Sequence, residues 1–207
     1  MANVIWVGAS EMPIKEATCV ERTRKVLDAS GYSFQLWDND MVMNLASNWP
    51  DAQDFLKIAF EQSKWAFIAD CAKAMILVKT GGWVLDADNE LLQPLLPFRR
   101  FHWVSGFENF KGMYLPITAV MGGVCGHKFS RRLLRVYSKS NVDAIFSMPN
   151  TSWISKILVD EGMNLRNERQ YIEKLDVEIF PEDTFCGTNP TENTVSIHHF
   201  SGSWLPT

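Results

Sequence analysis

The sequence has no close pair of cysteines. Cys19, Cys71, Cys125 and Cys186 each lie more than fifty residues from the next, which leaves no C-x-x-C redox motif and no zinc-finger spacing. It has no excess of positive charge either. Against 24 Asp and Glu stand 20 Lys and Arg, a net −4, which excludes a surface built wholly for nucleic acid. The chain holds 4 His, fewer than the His and carboxylate sets that metal phosphohydrolases gather. Long apolar runs are missing as well: the longest charge-free stretch, Met113 to Gly126, is too short to span a bilayer and contains Pro116. The first residues show no basic segment leading into an apolar one, as a leader would, and no repeat or low-complexity tract interrupts the chain. These absences predict a cytoplasmic protein whose cysteines are reduced and whose contact with a membrane, if any, is peripheral.

What is present fits one folded unit. The chain has 207 residues and 46% hydrophobic composition, enough for one sizeable core, and residues 1–207 are expected to form a single domain. Val4–Val7 and the alternating Phe34 and Leu36 predict short strands, and Ile14–Leu27 predicts a helix ended by Ala29-Ser30-Gly31. Phe55, Ile58, Trp65, Ala69, Ala72 and Ile76 recur at helical spacing over Asp51–Thr80, with a break near Ser63, and Gly81-Gly82 closes the pattern. Strands are expected over Trp83–Asp88, Phe101–Val104, Ile117–Met121, Val177–Phe180 and Thr194–Phe200, and helices over Lys128–Lys139 and Ser152–Glu161. Helices alternating with short apolar strands predict an α/β fold around a mostly parallel sheet.

The sharpest local feature is Asp86-Ala87-Asp88 at the end of an apolar strand. Residues i and i+2 of a strand share a face, so two carboxylates would project from the strand's carboxyl end, where open α/β sheets bind ligands. Paired hard oxygen ligands suit Mg²⁺ or Mn²⁺ and a phosphate-bearing substrate. A solvated acidic turn is the plainer alternative for the same three residues.

With its surroundings, Lys64 to Leu95, this element resembles the core of the D-x-D sugar transferases of glycosyltransferase family 32. That family shows S-D-x-x-R on a helix followed by G-G-x-Y-x-D-x-D. Here the pattern is Ala69-Asp70-Cys71-Ala72-Lys73, then Gly81-Gly82-Trp83-Val84-Leu85-Asp86-Ala87-Asp88, with Lys73 in place of Arg and Trp83 in place of Tyr or Ile. Val4–Gly8, Phe34–Asp38, Gly106–Asn109 and Thr194–Trp204 resemble further family elements in the right order. The resemblance implies a GT-A-like nucleotide-sugar-binding fold, mostly parallel twisted sheet flanked by helices. It implies a retaining, metal-dependent glycosyltransferase that moves a sugar from a UDP- or GDP-sugar to a hydroxyl acceptor, as in polysaccharide biosynthesis. Trp6 would stack on the base, Asp70, Lys73 and Asp86 would reach ribose or sugar hydroxyls, and Asn109 would assist at the donor. Asp88 and His199 would hold Mn²⁺ or Mg²⁺, Ser203 and Trp204 would approach the diphosphate, and Glu108 is the candidate nucleophile. His198 and His199 alternate faces on a strand, so one of the two meets the metal. A catalytically silent sugar-nucleotide-binding module, or a glycosyltransferase acting on hydroxylated bases in DNA, would show the same motifs.

One further pattern concerns the acceptor. Lys128, Arg131, Arg132, Arg135 and Lys139 fall within one arc of roughly 100° on a helix. They form either a solvated basic face or a docking strip for an anionic acceptor: membrane phosphates, a phosphorylated glycan or nucleic acid.

Overall fold

The computed structural model describes residues 1–9, 11–139, 141–187 and 189–202, with no description of the Lys139 side chain. The chain begins β1 (Ala2–Ile5), α1 (Ile14–Ala29), β2 (Phe34–Trp37), α2 (Asn39–Ala46), α3 (Pro50–Glu61), α4 (Trp65–Lys79), β3 (Gly82–Asp86) and β4 (Asn89–Leu91). After a 3₁₀ turn at Leu96–Arg100 come β5 (Trp103–Phe110), β6 (Met113–Pro116), β7 (Val120–Gly123), α5 (Lys128–Lys139), α6 (Val142–Phe146) and α7 (Asn150–Asp160). β8 (Gln170–Ile172), β9 (Val177–Phe180), α8 (Glu182–Phe185) and β10 (Ser196–His198) complete it.

One sheet runs in the order β2-β1-β3-β7-β5-β9-β8, with β6 folded back on β5. Strands β2, β1, β3, β5 and β9 point one way and β7 and β8 the other, so the fold is α/β with a mostly parallel sheet. The two-residue alternation of the strands divides the apolar residues between two cores. Val84 and Met121 face α3, α4, α5 and α7, whereas Trp83, Leu85 and Val120 face α1 and α8.

The departure at Trp83 has a packing reason. Its ring lies across Gly122, its partner on β7, while Trp103 lies across Gly123 on the other face. A side chain at either glycine would strike an indole. The Gly122-Gly123 pair therefore admits two large rings on opposite faces of one strand.

The expected long helix over Asp51–Thr80 is two helices. Gln62-Ser63-Lys64 separate α3 from α4, and Ser63 adopts a left-handed backbone, φ 53°, which an α-helix does not continue through. The two helices also differ in surroundings. α3 is buried on one stripe, whereas α4 is buried at every residue from Cys71 to Val78. The turn between α4 and β3 needs glycine: Gly81 and Gly82 have φ of 65° and 88°, and a Cβ on Gly81 would meet the Cys125 backbone. α2 and the β5–β6 hairpin were not expected from the sequence pattern. Among the described residues, no helix is long and apolar enough to cross a membrane.

Candidate active site

The site forms where the parallel strands end together. In the register, Ile5 of β1 lies level with Trp37 on β2 and with Asp86 on β3. The segments that follow, Trp6–Gly8, Asp38–Asp40 and Ala87-Asp88, therefore emerge along one edge, and two strand spacings separate β2 from β3 by about 10 Å. Trp6, Gly8, Asp38, Asn39 and Asp40 line a cleft of about 300 Å³ there. Its floor is rigid. The Asn39 side chain accepts from Gly8 N–H at 3.2 Å and donates to the Gly8 carbonyl at 2.9 Å, and Asp38 caps α2 by accepting from Met41 N–H. Trp6 is half-buried against the α1-side core, and its indole N–H is buried with no partner among the described residues.

Strand β3 ends at Asp86, so Ala87 and Asp88 lie in the tight turn into β4 rather than on the strand itself. The turn still brings the two carboxylates together. Ligand atoms of Asp86, Asp88 and His198 all lie within 4.8 Å of one another. The link is local: β10 pairs with β4, with His198 opposite Asn89. Asp88 divides its oxygens, one 3.4 Å from His198 Nε2 and the other accepting from Ser201 N–H at 2.9 Å.

Of the two histidines, the structure places His198 beside Asp88 and turns His199 away. His199 Nε2 meets Glu90 Oε2 at 2.9 Å on the other side of β10, as strand alternation demands. Of the two, it is His198 rather than His199 that the fold brings to the D-x-D acids.

Lys73 lies inside the fold. It is 1% exposed, and its ammonium contacts Asp70 Oδ1 at 3.1 Å and Asp86 Oδ1 at 2.6 Å. It braces the two acids from inside the fold rather than reaching out to a sugar. Burial alone would lower its pKa, but Asp86 and Asp70 outweigh that and hold the ammonium above its ordinary value. Asp70 stands at the edge of the site with its Oδ1 on Lys73.

Glu108 does join the group, within 4.8 Å of His198 and Cys186 in ligand atoms. Burial raises its pKa, with Asp86 adding to the rise and His198 opposing it. Asn109, the next residue on β5, is exposed, and its side chain accepts from Gly112 N–H to close the hairpin, so it is oriented by the turn. Ser203 and Trp204 lie outside the described residues. Cys186 and Ser201 were not singled out from the sequence. Cys186 carries no local motif and Ser201 is not distinguished within the Thr194–Trp204 element; both reach the site through tertiary contacts.

The donor set suits a divalent cation. Three carboxylates, Asp70, Asp86 and Asp88, stand against Lys73 and His198, and His198 Nδ1 and Ser201 Oγ are buried without partners among the described residues. Burial works to raise the Asp88 pKa, yet the hydrogen bond and charge of His198 and the Ser201 N–H bring it down to about 2. Burial would lower His198, and Asp88 followed by Asp86 and Glu108 raise it instead.

A stability profile follows for the protein held in chelator. The depressed Asp88 contributes above its ordinary 3.8 and loses that contribution as pH falls toward about 2. The raised His198 contributes fully below its ordinary 6.5 and loses it as pH climbs through the higher folded value. The pair is therefore expected to stabilise most between these two ordinary values. Thermal melts across pH should show both limbs, and Asp88→Asn should flatten them; identical profiles for the two proteins would contradict the pairing.

No family model matches the chain, and no curated protein is similar to it in sequence. The fold, however, is that of glycosyltransferases. It is similar to a solved structure described as the PaToxG glycosyltransferase, with a TM-score of 0.53 at 12% identity, covering 78% of this chain and 68% of that one. It is also similar to a glycosyltransferase involved in the glycosylation of the major capsid of PBCV-1, with a TM-score of 0.53 at 13% identity, covering 95% of this chain and 92% of that one. These likenesses define a GT-A-like α/β fold.

Proposed function

We propose that the protein is a metal-dependent retaining glycosyltransferase that uses a nucleotide-diphosphate sugar. The observation that carries this is the meeting of Asp86, Asp88 and His198 on the strand-end edge that also holds the Trp6 cleft. Trp6 follows β1, one strand spacing of about 5 Å from the β3 end at Asp86, and the cleft reaches one spacing further to the β2 end; that span suits a nucleotide lying along the edge, its base at Trp6 and its diphosphate at the acids. Trp6, half-buried beside the cleft, offers a ring face to the base. Asp70 and Asp86, whose Oδ1 atoms Lys73 holds, would meet ribose and sugar hydroxyls.

Asp88 and His198 would hold Mn²⁺ or Mg²⁺, which when bound neutralises the departing diphosphate. Ser201 N–H orients Asp88 for that duty. In the transfer the anomeric C–O bond to the diphosphate breaks and a bond to the acceptor oxygen forms on the same face. The acceptor's proton passes to the departing diphosphate oxygen. Glu108, whose carboxylate lies within 4.8 Å of His198, is the candidate nucleophile for the alternative covalent route.

The acceptor we propose is anionic, docking on α5. Lys128, Arg131 and Arg135 are exposed there, while Phe129, Leu133 and Tyr137 pack into the core. Arg132 is committed to Glu161 at 2.6 Å, and Arg131 Nε donates to the Gly126 carbonyl at 2.8 Å, so the strip is narrower than the sequence suggests.

One experiment tests these statements. The protein is incubated with Mn²⁺ and a panel of UDP- and GDP-sugars, and release of the nucleotide is followed with and without chelator. Metal-dependent release with one or a few donors is the expected result. Tight donor binding with no release under any metal would identify a silent binding module. For the acceptor, transfer to anionic glycans should weaken steeply with salt; salt-independent transfer would remove α5 from the account.

A further inference from the structure

A second group of ligating side chains lies on the far side of β10. Cys19, Glu90 and His199 have ligand atoms within 4.8 Å of one another, and none of them belongs to the D-x-D group. Local spacing could not reveal them, because they come from three distant segments: α1, β4 and the residue after β10.

These carriers are already fastened to each other. The Thr23 hydroxyl donates to the Asn89 carbonyl at 3.1 Å and accepts from Leu91 N–H at 3.0 Å, which stitches α1 to β4. Glu90 pairs with Ile197 across the β4–β10 ladder, and His199 N–H donates to the Asp88 carbonyl at 3.0 Å. The three ligands are thus presented on rigid elements with little left to order.

The local field favours a cation. Burial pushes the Cys19 thiol pKa up to about 12, and the charges of Glu90, Asp88 and Glu16 add to the rise against the opposing pull of Arg22. Arg22 occupies only one Glu90 oxygen, at 3.1 Å, and the other faces His199. The ring of His199 is partly exposed, which leaves a side open for entry and for a water ligand.

We propose that Cys19, Glu90 and His199 form a second cation site, selective for Zn²⁺, that ties the C-terminal arm to α1. A thiolate, an imidazole and a carboxylate make a borderline-soft tetrahedral set, unlike the oxygen-rich surroundings that Mg²⁺ or Mn²⁺ prefer. Zinc bonds of about 2.0–2.3 Å would put the ligand atoms about 3.3–3.7 Å apart, so the His199–Glu90 pair, now at 2.9 Å, opens slightly while Cys19 closes on them by roughly 1.5 Å at most. On binding, the proton on Cys19 Sγ leaves to solvent as the metal–sulfur bond forms, the proton that His199 Nε2 shares with Glu90 is given up through solvent so that the neutral ring keeps its proton on Nδ1, and Nε2 and the freed Glu90 oxygen each bond the metal. The arm so tied carries His198 and Ser201, which face the donor site on its other side.

The test is independent of glycosyl transfer. The metal-free protein is titrated with Co²⁺, and thiolate-to-cobalt absorption is followed. One equivalent should give the band, Zn²⁺ should bleach it, and Zn²⁺ should raise the melting temperature of the wild-type protein. Cys19→Ser should abolish both the band and the Zn²⁺ shift, while Cys186→Ser and Asp88→Asn should keep them. If Cys19→Ser does not fold, His199→Gln, at a partly exposed ring, serves in its place and should weaken Co²⁺ binding at least tenfold. No band in the wild-type protein, a band that survives Cys19→Ser, Co²⁺ affinity in His199→Gln within a few-fold of wild type, or a band lost with Cys186→Ser or Asp88→Asn would overturn the proposal.

Discussion

Asp88→Asn is expected to lower metal-dependent donor cleavage by about 10²–10³-fold, the scale of losing one preorganised electrostatic contact to a developing negative charge. The substitution keeps the shape of the site. An amide oxygen at position 88 can still accept from Ser201 N–H, and the amide nitrogen can face His198 Nε2 in its neutral form. What is lost is the full charge that a divalent cation and the depressed pKa of Asp88 both depend on. Folding stability should fall by less than about 2 kcal/mol, since one charge-assisted hydrogen bond is exchanged for a neutral one. Kinetics with saturating Mn²⁺, set beside urea unfolding of the same preparation, separates the two effects. Activity within a few-fold of wild type would remove Asp88 from the metal-binding role. A collapse in stability would show instead that the residue is structural.

The second large effect concerns stability. Lys73→Met should cost about 3–5 kcal/mol, because it leaves Asp70 and Asp86 facing each other without the buried cation that joins them. For a chain of this length that is a fall of roughly 10 °C in melting temperature. The loss should be partly recovered by Asp86→Asn in the same chain, since removing the second charge relieves the one left unpaired. Lys73→Arg should not be neutral. The guanidinium is larger than the ammonium and must fit a place that is 1% exposed, so overpacking of about 1–3 kcal/mol is expected. Chemical unfolding of the three variants gives the comparison. A Lys73→Met protein as stable as wild type would show that the two carboxyls carry a proton in place of the cation.

Both effects trace to a site only half legible in the sequence. Asp86 and Asp88 could be singled out because an apolar strand that breaks off in two acids is a local pattern, and Gly81-Gly82 marks where the preceding helix must stop. The same holds for the alternation of helices and strands that predicts the α/β class, and for the apolar side of α5, where periodicity alone places Phe129, Leu133 and Tyr137 inward. These features depend on residues within a few positions of one another, and the chain's local geometry settles them.

The rest depended on contacts between distant segments. The pattern over Asp51–Thr80 is continuous in periodicity, yet the break at Ser63 lets α3 keep one stripe on the core while α4 is enclosed. The choice between His198 and His199 was undecidable from two adjacent identical residues. Pairing of β10 with β4 fixes which face each takes, and so sends one ring to Asp88 and the other to Glu90. Lys73 shares a helical face with Asp70, as its spacing requires, but only the fold of α4 against β3 brings Asp86 to the same ammonium and turns a presumed sugar contact into an internal brace. Asn109 sits in a family-like element, and the hairpin that follows takes its side chain for the turn. Sequence by itself determined the fold class and the acidic strand end, because both are written in short-range periodicity. Tertiary structure alone decided which histidine meets the acids, that Lys73 lies between Asp70 and Asp86, and that Cys19, Glu90 and His199 come together, because strand pairing and helix packing set which side chains share a space.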